Sequence, residues 1–446
     1  MKISVYTFPF RDGEECYLYN TLSNALMEVG ADDYLRVETA ASEGFPVGRG
    51  DFDEELYAAL LENNFITESD RDDFLTYKSV IMRQRSQRDS MHLTLAPTMD
   101  CCFRCHYCFE KYKEKKYMTP EVMDGVVKYA TAFPDLRGIR ITWFGGEPLM
   151  ALPQMEEFHR RLTEKWSGRL SSNIITTGYH IDREAVRVLK AVGVSSVQIT
   201  LDGMRETHNR VKHLDGCDDV FGRVLDNIGL LTLEAPEIHT VVRVNLTRTN
   251  AGEYVPLYRM LTERFRGRTN FSVSPAFVLD RGASEAAAET RPELFGHRQR
   301  SRFILGLARE GIPSPFVGYP ERFFTECAIR NDMAVSFDPE GYMYKCWEVI
   351  GNKEYAVGRL DSEGRLVETN RTLLNRQLYG ADPVENKTCS ACRYLPVCNG
   401  GCPLQRIENE FEGKKNCLCT HYKGYMEEFL KVYLAIKRNT VEIRAQ

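Results

Sequence analysis

From His92 onward the chain repeats one alternation. Short runs in which apolar and polar residues take turns are each followed by a stretch with an apolar residue at every third or fourth position. The strand-like runs fall at 92–98, 138–144, 171–177, 195–201, 238–247 and 270–277, and the helical stretches between them at 119–133, 153–166, 182–192, 220–233 and 252–265. Thr119 and Pro120 are start signals for the first of these helices. Six such units predict a parallel sheet closed or partly closed into a barrel, with function at the C-terminal ends of its strands. Before them, strand-like runs at 3–8 and 17–19 precede a helical pattern at 31–37. An amphipathic helix follows, capped by Asp53 with Leu56, Leu60 and Leu61 on one face, and then a charged helix over 70–88. After about Pro313 the rhythm stops, and Pro339-Glu340-Gly341 marks a hairpin turn. The expected divisions are 1–90, 91–312 and 313–446.

The length of 446 residues allows two or three domains with sizeable cores, and 43% hydrophobic with 27% charged residues is ordinary for a soluble globular protein. A net charge of -5 with interspersed signs gives no electrostatic case for nucleic acid. The basic stretch 82–88, MRQRSQR, reads as the solvated end of a helix or as an attraction for an acidic peptide. The opening MKISVYTFPFRDGEE has no apolar core, and no window approaches about eighteen apolar residues, so a cytoplasmic protein without a membrane partner is expected. Fourteen cysteines in a reducing compartment argue for metal ligation over disulfides.

The cysteines carry the candidate chemistry. Cys101, Cys105 and Cys108, spaced C-x3-C-x2-C, follow the strand at 92–98. Three soft thiolates on one loop suit a metal centre with an open coordination position, whereas structural zinc usually recruits four protein ligands. Cys102 stands outside this spacing. The next strand ends in Gly145-Gly146-Glu147-Pro148, where two glycines permit close approach of backbone to a ligand and the carboxylate can accept from an ammonium group; alone, it is a turn. At the third and fourth strand ends lie Thr177, Gln198 and Thr200, either ligand contacts or inward-facing residues with satisfied hydrogen bonds. Arg243 and Asn245 share one face of the fifth strand, and a buried arginine needs a partner. A second field holds Cys327, Cys346, then Cys389-x2-Cys392-x5-Cys398-x3-Cys402, then Cys417 and Cys419; taken alone, 389–402 fits a zinc ribbon.

The first trio, with Tyr107 before its last cysteine, resembles the signature of the radical S-adenosylmethionine (SAM) enzymes. The resemblance implies that the three thiolates hold three irons of a 4Fe-4S cluster and that the amino and carboxylate groups of SAM chelate the fourth. One electron then splits the sulfonium and leaves a 5'-deoxyadenosyl radical. It also implies that Gly145, Gly146 and Glu147 form the motif holding the methionine amine, and that Tyr107, Thr177, Gln198, Thr200 and Asn245 surround SAM. The run 207–212, THNRVK, resembles the peptide-modifying branch, with His208 read as structural. The second field resembles the SPASM extension, which carries auxiliary 4Fe-4S clusters. By that likeness Cys327, Cys346 and Cys402 hold the first, and Cys389, Cys392, Cys398 and Cys419 the second, the LCxxYK context favouring Cys419 over Cys417.

No cysteine lies between Cys327 and Cys346, so one iron of the first auxiliary cluster is open to a substrate thiolate unless Cys16, Cys217, Cys417 or another group fills it. Anaerobic sulfatase-maturating enzymes carry an aspartate directly after the position of Cys346; Trp347 and Glu348 follow here, and Glu348 is the candidate base in that reading. Residues 1–90 resemble a winged-helix peptide-recognition element, in which an extended leader adds to a sheet edge; the alternative is a packing domain without a ligand. The expectation is thus an α/β protein: a partial (β/α)6 radical SAM barrel between a winged-helix-like domain and a cysteine-rich SPASM domain. Its function would be to mature a ribosomally made precursor peptide, leader and core, most simply by forming a thioether. Carbon-carbon or carbon-oxygen crosslinking and sulfatase maturation are the alternatives, and flavodoxin or ferredoxin the expected kind of electron donor.

Overall fold

A computed structural model describes residues 1–110, 114–279, 293–316, 318–322 and 326–438. They form two compact units, each assembled from separated segments: Met1–Ser86, His297–Cys327 and Tyr379–Ile443 in the first, Gln87–Gly296 and Ala328–Leu378 in the second.

In the first unit, β1 (Lys2–Ile3) pairs antiparallel with β5 (Ile66–Thr67), and β2 (Thr7–Asp12), β3 (Glu15–Asn20) and β4 (Leu26–Val29) form a three-stranded antiparallel sheet. Helices α1 (Ala31–Glu43), α2 (Glu54–Glu62) and α3 (Asp70–Arg85) accompany them. Asp53 caps α2 as expected, accepting from the Leu56 N–H at 2.8 Å. The run at 17–19 lies within β3, but the single strand expected at 3–8 is broken by a turn at Val5–Tyr6 and divides between the end of β1 and the start of β2; β4 and β5 are additions the pattern did not show. β3 is buried on both faces because it lies between two cores. On one side Cys16 and Leu18 pack with Tyr34, Val37 and Leu60; on the other Tyr17 and Tyr19, with Phe8 and Phe10 of β2, pack on Met426, Leu430 and Leu434 of the helix Met426–Lys437.

The second unit is built on one ten-stranded sheet. Six strands, β6 (Ser90–Leu95), β7 (Gly138–Trp143), β8 (Arg169–Thr176), β9 (Val194–Leu201), β10 (His239–Leu246) and β11 (Phe271–Phe277), run parallel and adjacent in chain order. Helices α4 (Pro120–Thr131), α5 (Leu152–Lys165), α6 (Arg183–Ala191), α7 (Arg205–Val211), α8 (Val220–Glu234) and α9 (Tyr254–Arg264) connect them. Thr119 caps α4, with Pro120 in its first turn, and Asp182 and Asp219 cap α6 and α8. Of these helices only the seven-residue α7 escaped the sequence reading, being too short to display a period. On the other edge, β12 (Ala334–Phe337) adds in parallel to β6, and β13 (Tyr342–Tyr344), β14 (Gly358–Leu360) and β15 (Leu366–Val367) continue antiparallel. Gly341, at φ +82°, makes the expected turn between β12 and β13. The fold is therefore the expected α/β class, and β11 and β15 are free edges, so the sheet is not closed among the described residues. No helix among them is long and apolar enough to cross a membrane.

Candidate functional site

The loop with the first cysteine trio leaves β6 and is fastened to the turn that leaves β7. Thr98 O accepts from the Gly146 N–H at 3.2 Å, and Asp100 O from the Glu147 N–H at 2.8 Å. Asp100 in turn accepts the Cys101 N–H at 3.0 Å through its carboxylate. Any side chain at the two glycines would collide with this backbone: an added Cβ would lie 2.4 Å from Thr98 O at Gly145 and 2.2 Å from Asp100 O at Gly146. The glycines are required first for packing two strand-end loops together.

Glu147 is wholly buried, and its carboxylate is taken up by the protein: it accepts from the Leu149 N–H at 3.1 Å, the Thr176 hydroxyl at 2.6 Å, and the Thr177 N–H and hydroxyl at 2.9 and 2.5 Å. Glu147 and Thr177, both read from the sequence as cofactor contacts, are thus bonded to each other and tie the β7 turn to the end of β8.

Tyr107 reaches the ends of β9 and β10. Its hydroxyl donates to the Asp202 carboxylate and accepts from Asn245 Nδ2 at 3.2 Å, and Asn245 Oδ1 accepts from Arg243 Nε at 3.3 Å. Lys212, at the end of α7 and 3% exposed, places Nζ 3.2 Å from Asp202 Oδ2 and 3.6 Å from Cys105 Sγ. Burial alone pushes the Lys212 ammonium toward losing its proton; Asp202, then Tyr107 and Cys105, more than reverse this and hold its pKa above the ordinary range. Burial, then Asp202, pushes the Tyr107 hydroxyl up, so it stays neutral and donates. The sequence pattern singles out neither Asp202 nor Lys212, and the signal that joins them to Cys105 is tertiary.

Gln198 and Thr200 lie on one face of β9, the alternate positions Val197, Ile199 and Leu201 being fully buried on the other. Registration sets Gln198 beside Ile175 of β8 and Thr200 beside Arg243 of β10. These half-buried polar residues line the same face as Asn245, at the strand ends where the cysteine loop begins.

In the second unit Cys346 precedes a short turn, Trp347–Val349, that carries Glu348. The Trp347 ring stacks on Phe144 at 5.8 Å and 25°, next to Gly145. In the first unit, burial pushes the Cys398 thiol up, the Thr420 and Gly400 N–H groups oppose it, and Cys392 and Cys389 lie near it. Arg406 Nη1 lies 3.4 Å from Cys389 Sγ and Lys423 Nζ 3.3 Å from Cys419 Sγ. Cys417 is exposed, with Sγ 3.5 Å from His297 Nδ1. Cys327 and Cys402 also belong to this unit. Cys16, one candidate for an extra ligand, is a core residue, 2% exposed among Leu18 and Tyr34.

A single ion draws thiolates to about 2.3 Å of one point, and among the described residues no three His, Cys, Asp or Glu side chains converge that tightly. The donor set of the first loop, three thiolates with a buried ammonium donating to one of them, fits a multi-iron cluster, whose sulfurs accept such hydrogen bonds.

Residues 95–250 match the model of the Radical SAM superfamily. The serine-type anaerobic sulfatase-maturating enzyme of Klebsiella aerogenes is 22% identical over 380 residues, 79% of this chain and 89% of that protein. Among solved structures, native anSMEcpe with bound AdoMet and Kp18Cys peptide superposes with a TM-score of 0.58 at 17% identity, covering 79% of this chain and 99% of that one. Streptococcus suis SuiB gives 0.50 at 14% identity, covering 94% and 100%.

Proposed function

From a chain that carries a radical SAM domain, and is therefore an enzyme that works with a 4Fe-4S cluster and SAM, we propose that this protein matures a ribosomally made precursor peptide. It takes a hydrogen atom from an unactivated carbon and closes an intramolecular crosslink, most simply a thioether to a peptide cysteine. When bound, the cluster and SAM supply the one-electron sulfonium cleavage that delivers the abstracting radical. Cys101, Cys105 and Cys108 would hold the cluster. With the Glu147 carboxylate engaged by Thr176 and Thr177, the part of the GGE turn that would meet the methionine amine is its backbone. Tyr107, Gln198, Thr200 and Asn245 would line the SAM side of the sheet.

The observation that carries the peptide reading is the small sheet β2-β3-β4, whose strand β4 pairs, among the described residues, with β3 alone and leaves a half-buried edge. An extended leader adds to such an edge through main-chain hydrogen bonds and raises the effective concentration of the core peptide. A cysteine-rich C-terminal segment supports auxiliary clusters. For one of them, Cys389, Cys392, Cys398 and Cys419 are the proposed ligands, favoured by the nearness of Cys389 and Cys392 to Cys398 and by Lys423, which donates to Cys419 at 3.3 Å.

The test uses anaerobically reconstituted enzyme, SAM, a reductant, a low-potential donor such as flavodoxin or ferredoxin, and small cysteine-containing peptides encoded beside the gene. Product mass is read before and after thiol alkylation. Loss of two hydrogens together with an alkylatable cysteine is the expected result. Loss of two hydrogens with every cysteine still alkylatable moves the bond to carbon-carbon or carbon-oxygen.

A second reading, formylglycine formation in sulfatases, is favoured by the extended similarity to the Klebsiella aerogenes enzyme. SAM cleavage with no peptide changed, but with a sulfatase segment oxidised, would establish it. In that case Glu348→Gln should abolish turnover; unchanged turnover counts against Glu348 as the base.

A further inference from the structure

Lys212 has a position that the site chemistry has not yet used. It is a buried cation at the C-terminal end of α7, its N–H bonded to His208 O at 2.8 Å, and its aliphatic stem runs inward to set Nζ between one carboxylate and one thiol. Nζ also lies 5.8 Å from the centre of the Phe103 ring, inside the cysteine loop. The Asp202 carboxylate receives the Tyr107 hydroxyl on Oδ1, and Lys212 faces its buried Oδ2. Taken as a whole, a buried ion pair contributes little net stability against a well-packed apolar replacement of both partners. What the lysine adds is a fixed positive charge 3.6 Å from a cluster-ligating sulfur.

We infer that Lys212 is a positioning residue for electron transfer: held by Asp202, its ammonium donates to Cys105 Sγ and favours the reduced form of the cluster that Cys105 would hold. One-electron reduction adds one negative charge to the cluster, and no bond or proton moves. A hydrogen bond to a cluster sulfur and a neighbouring cation, both shielded from water, lower the free energy of that added charge. Asp202, one contact further out, acts in the opposite sense and keeps the cation in place. The inference rests on Cys105 being a ligand of the SAM-binding cluster.

The experiment is an EPR-monitored redox titration of full-length, anaerobically reconstituted protein with dithionite as reductant, together with iron and sulfide content. The relevant signal is the one that added SAM perturbs. Relative to wild type, Lys212→Met is expected to lower the reduced-to-oxidised ratio at fixed potential about tenfold, a downward shift of about 59 mV for one electron. Lys212→Arg, which keeps the charge, is expected to stay within about threefold. A fully loaded Lys212→Met protein with the wild-type potential, or a Lys212→Arg protein shifted as far down as Lys212→Met, overturns the inference. Should Lys212→Met fail to take up iron, Lys212→Gln, which keeps an N–H donor but removes the charge, decides: a downward shift supports it, the wild-type potential overturns it. A wild-type protein with no SAM-responsive signal overturns the cluster assignment itself, which is a different result.

Discussion

At the scale of single residues, burial decides roles that sequence left open. His208 is fully buried against Phe221, with Nδ1 accepting the Asp202 N–H at 3.3 Å. Burial pushes its pKa down to about 4, Asp202 opposing in part. The unfolded chain, with an ordinary histidine near 6.5, therefore binds more protons between these values, and stability present above pH 6.5 is lost as pH falls to 4. The shift corresponds to about 3 kcal/mol. Urea unfolding followed by circular dichroism at pH 7, 5.5 and 4 should show His208→Asn with a flatter pH dependence than wild type; equal slopes would assign the acid sensitivity elsewhere.

Gly146 gives a sharper expectation. An alanine Cβ would meet two backbone oxygens, of Asp100 and Met99, at 2.2 and 2.5 Å, so the loop that begins at Cys101 must move. A misplacement near 1 Å costs about a hundredfold in rate, so Gly146→Ala should lose at least that factor in SAM cleavage while the melting temperature changes little. The cysteine trio and the GGE turn were legible because each is a short local signal. The Lys212–Asp202–Tyr107 network was not, since its members are brought together only by the ends of β9 and α7 and the cysteine loop.

At the scale of elements, hydrophobic period located all six parallel strands and five of the six connecting helices of the sheet to within a few residues, because each has one face on a core and one off it. Strands that never alternate, such as the two-residue β5 or the half-buried β4, gave no such signal. The charged helix α3 shows a second limit. Its last residue, Arg85, is buried and pairs with Glu326 at 2.8 Å and bidentately with Asp382, all three side chains being at most 7% exposed. The solvated end expected of this basic stretch holds for Arg83 and Arg88, which are exposed, but not for Arg85.

Glu326 also accepts the Cys327 N–H at 3.0 Å and Asn399 Nδ2 at 3.2 Å, so one helix end fixes two segments that carry cysteines. Arg85→Met leaves two buried carboxylates without their cation, a loss of about 3–5 kcal/mol. Thermal unfolding should report it as a large drop in the first transition. Iron content after reconstitution should fall through the C-terminal cysteines, with the SAM-perturbed EPR signal retained. A small stability change with full iron would show that the triad is dispensable.

At the scale of the whole molecule, the question is whether the N-terminal segment is a removable recognition module. Side chains at long separation decide this, and periodicity does not register them. Residues 1–86 share their unit with 297–327 and 379–443. Phe8, Phe10, Tyr17 and Tyr19 lie against Met426, Leu430 and Leu434, and Tyr6, Leu22, Tyr77 and Ile81 against Val384 and Leu395. Thr21 donates to Arg393 O at 2.7 Å and Tyr77 to Asn399 at 2.7 Å. Each large apolar side chain buried in this way contributes about 1.5–3 kcal/mol, so the shared core outweighs a typical net stability of about 5–15 kcal/mol. A chain beginning at Gln87 should therefore lose more than leader binding. Limited proteolysis should cut rapidly within 379–438 while 95–250 stays resistant, and reconstitution should leave about four irons, those of a single cluster. If instead the shortened protein keeps its full iron and protease pattern and loses only affinity for the precursor peptide, the first 86 residues are an independent module, and the shared core contributes far less than its burial implies.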